Sequence, residues 1–339
     1  MSTQFCLTWG SVDVRIYGIQ HERKQNVKRL TSTLILLVAA IIWGFAFSAQ
    51  KASDEIPALT LNAIRSIVAS VFLFLIIPIF DKLGHTGRHL FSKKRPIDFT
   101  RTELIGGAVI GLILAVATFF QQSGMSAGAD AGKVSFITAI YVVLVPVYSL
   151  FIGKRAHINV WISVIIAAVG FYFLCINGEF KLEASDLIAF CCSFIFPLHI
   201  LFVDKFSPIC DGVRMSCIQF LCCGIFSTVA ALIFDPPTPV STVLDNALPI
   251  LFLGIMSSGI AYTLQIIGQR GANPTVAAVI LSLESVFGVL GAALLLGETM
   301  STREYVGSAI VFVAVILSQL DFSAIFTKKD NNTLQNCDE

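Results

Sequence analysis

Long apolar runs separated by short polar turns set the pattern of this chain. They predict helices over residues 31–50, 57–80, 103–123, 132–152, 158–176, 186–203, 213–234, 248–268, 274–296 and 303–320. Each run is close to the roughly 20 residues that a helix needs to cross the hydrocarbon core of a bilayer. The boundaries carry helix start and stop chemistry. Pro57, Pro249 and Pro274 stand at helix beginnings, where the missing N–H costs nothing. Asn177-Gly178 and Gly153-Lys154-Arg155 follow helix ends. Pro197 and His199 interrupt the run 186–203, and Pro146 and Pro197 predict kinks. Residues 1–29 are polar and mixed. They predict a disordered tail and not a cleaved secretory signal, which would need a short apolar segment with a small-residue cleavage site after an early basic stretch.

The pattern occurs twice. One constant shift places Gln121 on Gln265, Gly124 on Gly268 and Gly153 on Gly297, and Lys51 resembles Lys205 more loosely. The division is then a cytoplasmic N-terminal tail at 1–30, a first repeat at 31–176, a second at 186–320, and a cytoplasmic C-terminal tail at 321–339. Each repeat holds five spans, an odd number, so the second enters the membrane upside down. The fold class expected is an all-α membrane protein of ten transmembrane helices in two inverted five-helix repeats. Such repeats place a binding site near the bilayer midplane and permit alternating access. A duplicated anchor without a passage is the plainer alternative, but an anchor gains nothing from polar residues inside its spans.

Composition agrees with a lipid solvent. Of 339 residues 55% are hydrophobic and only 13% charged, where soluble domains carry roughly a quarter. A net charge of +1 leaves no basic face for a nucleic-acid partner. The nine cysteines fall mostly inside apolar runs, with adjacent pairs at Cys191-Cys192 and Cys222-Cys223, and read as small apolar fillers rather than metal ligands or a disulfide framework. Most of the 23 Lys and Arg residues fall in alternate loops, above all 81–102. The opposite loops hold only Lys51, Lys133, Lys181 and Arg303, and Arg65 lies within a span. That bias places both termini in the cytoplasm.

Several residues carry a resemblance. Trp43-Gly44 lies in the first span and Arg65 in the second. The run GMSAGADAGKVSFITAIYVVLVPVYSLFIGKR extends from Gly124 to Arg155, and NPTVAAVILSLESVFGVLGAALLLGE ends at Glu298. With these features the chain resembles the EamA family of the drug/metabolite transporter superfamily over roughly residues 31–320. The chain departs from the family pattern at Lys154, which stands where the first repeat often has an acid. The resemblance implies ten helices, a central cavity, and export or exchange of small metabolites, with the substrate left open.

Candidate chemistry lies inside the spans. Glu284 sits near the middle of its span, where an ionised acid costs several kcal/mol unless paired or hydrated. It shares a face with Ala277, Leu281, Gly288 and Gly291, which suits either a cavity acid or a helix-packing acid. Arg65 either snorkels to the headgroups or meets a carboxylate in the cavity; together with Glu284 it offers a zwitterion one charge of each sign. Polar faces are expected at Gly254, Ser258, Ala261 and Gln265 with Tyr262 beside them, at Gly107, Gly111, Ala115, Thr118 and Gln122 with Gln121 beside them, and at Thr138, Tyr141 and Tyr148. Gln121 and Gln265 are expected near opposite ends of a passage. Trp43 is a cavity wall or a core residue, and His199 a packing residue. The candidate substrate-binding set is Trp43, Arg65, Thr118, Gln121, Tyr141, Tyr262, Gln265 and Glu284.

The absence of Walker A, HExxH and GxSxG motifs argues against ATP hydrolysis and against a membrane hydrolase. No catalytic residues, metal or cofactor are expected. The reading is a secondary transporter or facilitator, an exporter of small organic metabolites such as amino acids or drugs, in the plasma (cell inner) membrane, with a small solute and the lipid bilayer as partners and room for a homodimer. The alternatives are a non-transporting receptor or accessory protein, and a nucleotide-sugar exchanger, which would want more than one basic group.

Overall fold

A computed structural model describes residues 4–85, 99–154, 157–175, 183–270, 272–297 and 301–319. Among them there is no strand. The helices are α1 (Gln4–Lys51), α2 (Ala58–His85), α3 (Arg101–Ser126), α4 (Ala131–Phe151), α5 (Ile158–Cys175), α6 (Ala184–Phe206), α7 (Gly212–Phe234), α8 (Ala247–Gly268), α9 (Pro274–Leu296) and α10 (Thr302–Gln319). A short helix, Val240–Asp245, precedes α8. Among the described residues, eight segments are long and apolar enough to cross a bilayer. Two shorter apolar helices, Ile158–Phe173 and Tyr305–Ser318, accompany them.

Polar caps satisfy the first N–H groups where helices leave the apolar layer. Thr100 and Glu103 form a reciprocal capping box on α3. Asp211 accepts from the N–H groups of Val213 and Arg214 at the start of α7. Asn273 accepts from Thr275 N–H, with Pro274 opening α9. Gly153 and Gly297, the pair related by the sequence repeat, both turn left-handed past their helices, with φ of 75° and 71°.

Two helices are broken and one is wound loosely. α4 interrupts at Ile140, between Ala131–Ala139 and Tyr141–Phe151. α9 interrupts at Ser282, between Pro274–Leu281 and Leu283–Leu296. Around that break Ser282 Oγ donates to Val279 O and Ser285 Oγ to Ser282 O, so serine hydroxyls occupy carbonyls of the helix itself. Within α8, Phe252–Ala261 is π-helical.

Three expectations are corrected. α1 runs from Gln4, where a disordered tail was predicted; no proline breaks the chain from there to Lys51. α6 continues through Pro197 and His199 as one helix. The discontinuity in α4 falls at Ile140 instead of at Pro146. Glu298 and residues 321–339 lie outside the described residues.

The helices pack as α2 on α7, α5 on α10, α3 on α6 and α7, α4 on α6, and α1 on α8 and α9. Small residues permit the closest approaches. A Cβ on Gly44 would stand 2.2 Å from Phe287 Cβ, and one on Gly124 2.6 Å from Ala189 Cβ. Large apolar side chains such as Leu75, Phe151, Ile165 and Leu232 face outward, while many polar residues are buried. This arrangement suits lipid outside and polar contacts inside.

Near the ends of α2 and α3 and the start of α7 lies a buried charged cluster. Arg214 Nη2 is 2.8 Å from Asp81 Oδ2, and Nη1 is 3.8 Å from Asp211 Oδ2. Asp211 N–H donates to Glu103 Oε1 at 2.8 Å. Arg270, in the turn between α8 and α9, donates to Cys210 O at 2.8 Å. Burial pulls its pKa below the ordinary arginine value, an effect that Asp211 opposes.

Candidate functional site

The inner faces of α1, α2, α3, α4, α6, α8 and α9 enclose a chamber of narrow crevices between side chains, with a cavity volume of about 30 Å³. Seven of the eight candidate residues line it: Trp43, Arg65, Gln121, Tyr141, Tyr262, Gln265 and Glu284. Thr118 does not. It is buried, and its hydroxyl donates to Leu114 O one turn back in its own helix, at 2.7 Å. Phe47, Gln50, Thr138, Phe196, His199 and Ser257 complete most of the remaining wall.

One side of the chamber is aromatic. Tyr262 stands at the centre, with ring centroids 4.5 Å from Trp43, 5.4 Å from Phe220 and 5.6 Å from His199. Trp43 is fixed by donating its indole N–H to Ser257 O at 3.2 Å. His199 is held against Gln219 Oε1 at 3.3 Å.

The polar groups divide into fixed and unpartnered ones. Gln121 donates to Thr138 Oγ1 at 3.0 Å, and Thr138 meets Cys192 Sγ at 3.5 Å. Arg65 Nε donates to Asn62 Oδ1 at 3.0 Å. By contrast Glu284 Oε1, Gln265 Oε1, Gln50 Oε1 and the Tyr141 hydroxyl are buried without a hydrogen-bond partner. Tyr141 and Glu284 face one another without closing a regular hydrogen bond. Buried polar atoms left this way cost roughly 1–3 kcal/mol each.

The predicted faces separate into packing and lining. On α3, Gly107 and Gly111 press against α7, at Ile218 and at the carbonyl of Gln219, so that small-residue face is a helix seam. The side residue Gln121 reaches the chamber instead. On α8, Ser257 faces inward where Ser258 was expected, because a face counted at 3.6 residues per turn drifts through a π-helical stretch. Gln121 and Gln265 both line this chamber. On α9, Leu281 and Glu284 line the void, while Gly288 meets Ser135 and Gly291 meets Phe45 and Ser48.

Asn62, Gln50 and Ser257 were not singled out from sequence. Asn62 lies three residues before Arg65, a helical neighbour spacing that marks it as a partner. The other two carried no spacing signal. Among the described residues no cluster of His, Cys, Asp and Glu is placed to hold a metal ion.

Comparison with known proteins adds a lineage. The model of the EamA-like transporter family matches residues 30–176 and 184–320. An uncharacterized transporter of Archaeoglobus fulgidus is 27% identical over 301 residues, 87% of this chain and 88% of its own. The uncharacterized inner membrane transporter YedA of Escherichia coli K12 is 23% identical over 293 residues, 84% of this chain and 89% of its own. A solved crystal structure shares the fold with a TM-score of 0.66 at 18% identity, covering 85% of this chain and 96% of its own.

Proposed function

The chain belongs to the EamA-like transporter family, and from that premise we propose that it moves small organic metabolites, amino acids or drugs among them, across the cell inner membrane by alternating access around the central chamber. It works without ATP and favours export. The one observation that carries this reading is the convergence of unpartnered buried polar atoms from both halves in a single chamber: Gln50 and Tyr141 from the first, Gln265 and Glu284 from the second.

The reading includes ten membrane helices arranged as two inverted repeats, with both termini cytoplasmic. Three observations support it. Exchanging the first five helices with the last five turns the α3–α6 contact into α8–α1 and the α4–α6 contact into α9–α1, and leaves the α2–α7 and α5–α10 pairs unchanged; all of these contacts are present. The left-handed glycines Gly153 and Gly297 stand at repeat-related positions. The helix breaks at Ile140 and Ser282 fall in the corresponding fourth helix of each half, beside the chamber, as discontinuous helices do at midplane sites.

A nucleotide-sugar cargo fits less well, because Arg65 is the only Arg or Lys among the described lining residues. The test is reconstitution in liposomes with a broad metabolite panel. Saturable flux or counterflow of a small solute is expected. No flux of any solute from correctly folded protein overturns the assignment.

A further inference from the structure

Arginine keeps its charge inside proteins, and a buried guanidinium without a counter-ion is costly. Arg65 is 6% exposed. Its Nε is committed to Asn62 Oδ1. Asn62 is itself tied down, donating from Nδ2 to Ala115 O at 3.3 Å and to Ser227 Oγ at 3.2 Å. Residues of α2, α3 and α7 thus fix the plane of the guanidinium. Its terminal nitrogens make no hydrogen bond to a described residue, and no described carboxylate lies within ion-pairing distance. Glu284, the one acid lining the chamber, is not its partner.

We infer that Arg65 is the anion anchor of the chamber, with Asn62 as its positioning residue, and that the cargo is a small monocarboxylate. The terminal nitrogens present the planar fork that matches a carboxylate in a bidentate pair. Glu284 Oε1 and Gln265 Oε1 are acceptors without donors, so the cargo carries an N–H or O–H group away from its carboxylate. The narrow aromatic wall between them limits the body of the molecule to a compact apolar one. A phosphate or dicarboxylate would want a second cation, and among the described residues no other Lys or Arg lines the void.

This inference rests on the transport reading, and the experiment separates the two. Proteoliposomes and detergent-purified protein are given matched series of one carbon skeleton as free acid, methyl ester, primary amide and decarboxylated amine. Counterflow and thermal stabilisation are read for each. For at least one skeleton the free acid is expected to be carried and to stabilise, with the ester, amide and amine about tenfold weaker or more, the loss expected when a charge-assisted hydrogen bond is removed. Arg65→Lys and Asn62→Ala are expected to raise the KM for the acid and to shrink the acid-to-ester discrimination, which a purely structural role would leave unchanged. Esters or amines carried as well as acids overturn the anion anchor and leave transport standing. No flux of any compound from folded protein overturns both. If the variants fail to fold, the acid and ester series on the unaltered chain still decides.

Discussion

Two buried arginines invite comparison. Arg214, 1% exposed, lies in a cluster where Asp81 and Asp211 answer its charge and Glu103 in turn accepts from the Asp211 N–H. Arg65, 6% exposed, has one neutral side-chain partner and faces a void. Burial alone does not tell these residues apart; what differs is whether the structure completes their hydrogen bonds. The completed cluster holds α2 and α7 together. The incomplete site is open to something that arrives from outside.

The largest expected effect comes from breaking the completed cluster. Arg214→Met removes the guanidinium paired with Asp81 and Asp211 and should cost about 3–5 kcal/mol, read as loss of folded, monodisperse protein or a steep fall in the melting midpoint. Gly44→Ala tests whether packing matters as much as polarity at the chamber wall. Its Cβ would meet Phe287, forcing apart the α1–α9 seam that carries both Trp43 and Glu284. A cost of about 1–3 kcal/mol is expected, with reduced transport. Arg65→Gln should change the stability of the fold by no more than about 1 kcal/mol, since no protein ion pair is lost, while flux disappears. Instability equal to that of Arg214→Met would erase the contrast between the two arginines. Glu284→Gln should likewise keep the fold and slow flux about tenfold or more, the worth of a charge-assisted hydrogen bond. The smallest effect belongs to Lys154→Ala, which removes a half-exposed ion pair with Asp204 and should cost well under 1 kcal/mol by unfolding midpoint.

Much of this organisation is legible in the residues. Apolar length exposes the long helices, and one constant shift exposes the doubling. An acid in mid-span singles out Glu284, and the folded chain places it in the chamber wall. What stays hidden depends on tertiary contact. The glycines of α3 look like a passage lining and are a seam against α7, since small residues serve both purposes. Ser257 turns inward through a departure from α-helical winding that no periodicity encodes. Continuation through Pro197 shows the reverse: a residue that breaks helices in water is carried by a helix with neighbours on its flanks. The break at Ser282 leaves a local trace, the serines at 282 and 285, but only the folded helix reveals that their hydroxyls bond back to it.

The loosely wound stretch Phe252–Ala261 has a mechanical consequence. Each residue of an ordinary helix advances by about 100°, so tightening this stretch by one residue would turn the rest of α8 through an angle of that order. Tyr262 and Gln265 would leave the wall they share with Trp43, and the indole would lose the Ser257 carbonyl. Spare winding in one helix is therefore a way to change which side chains form this wall.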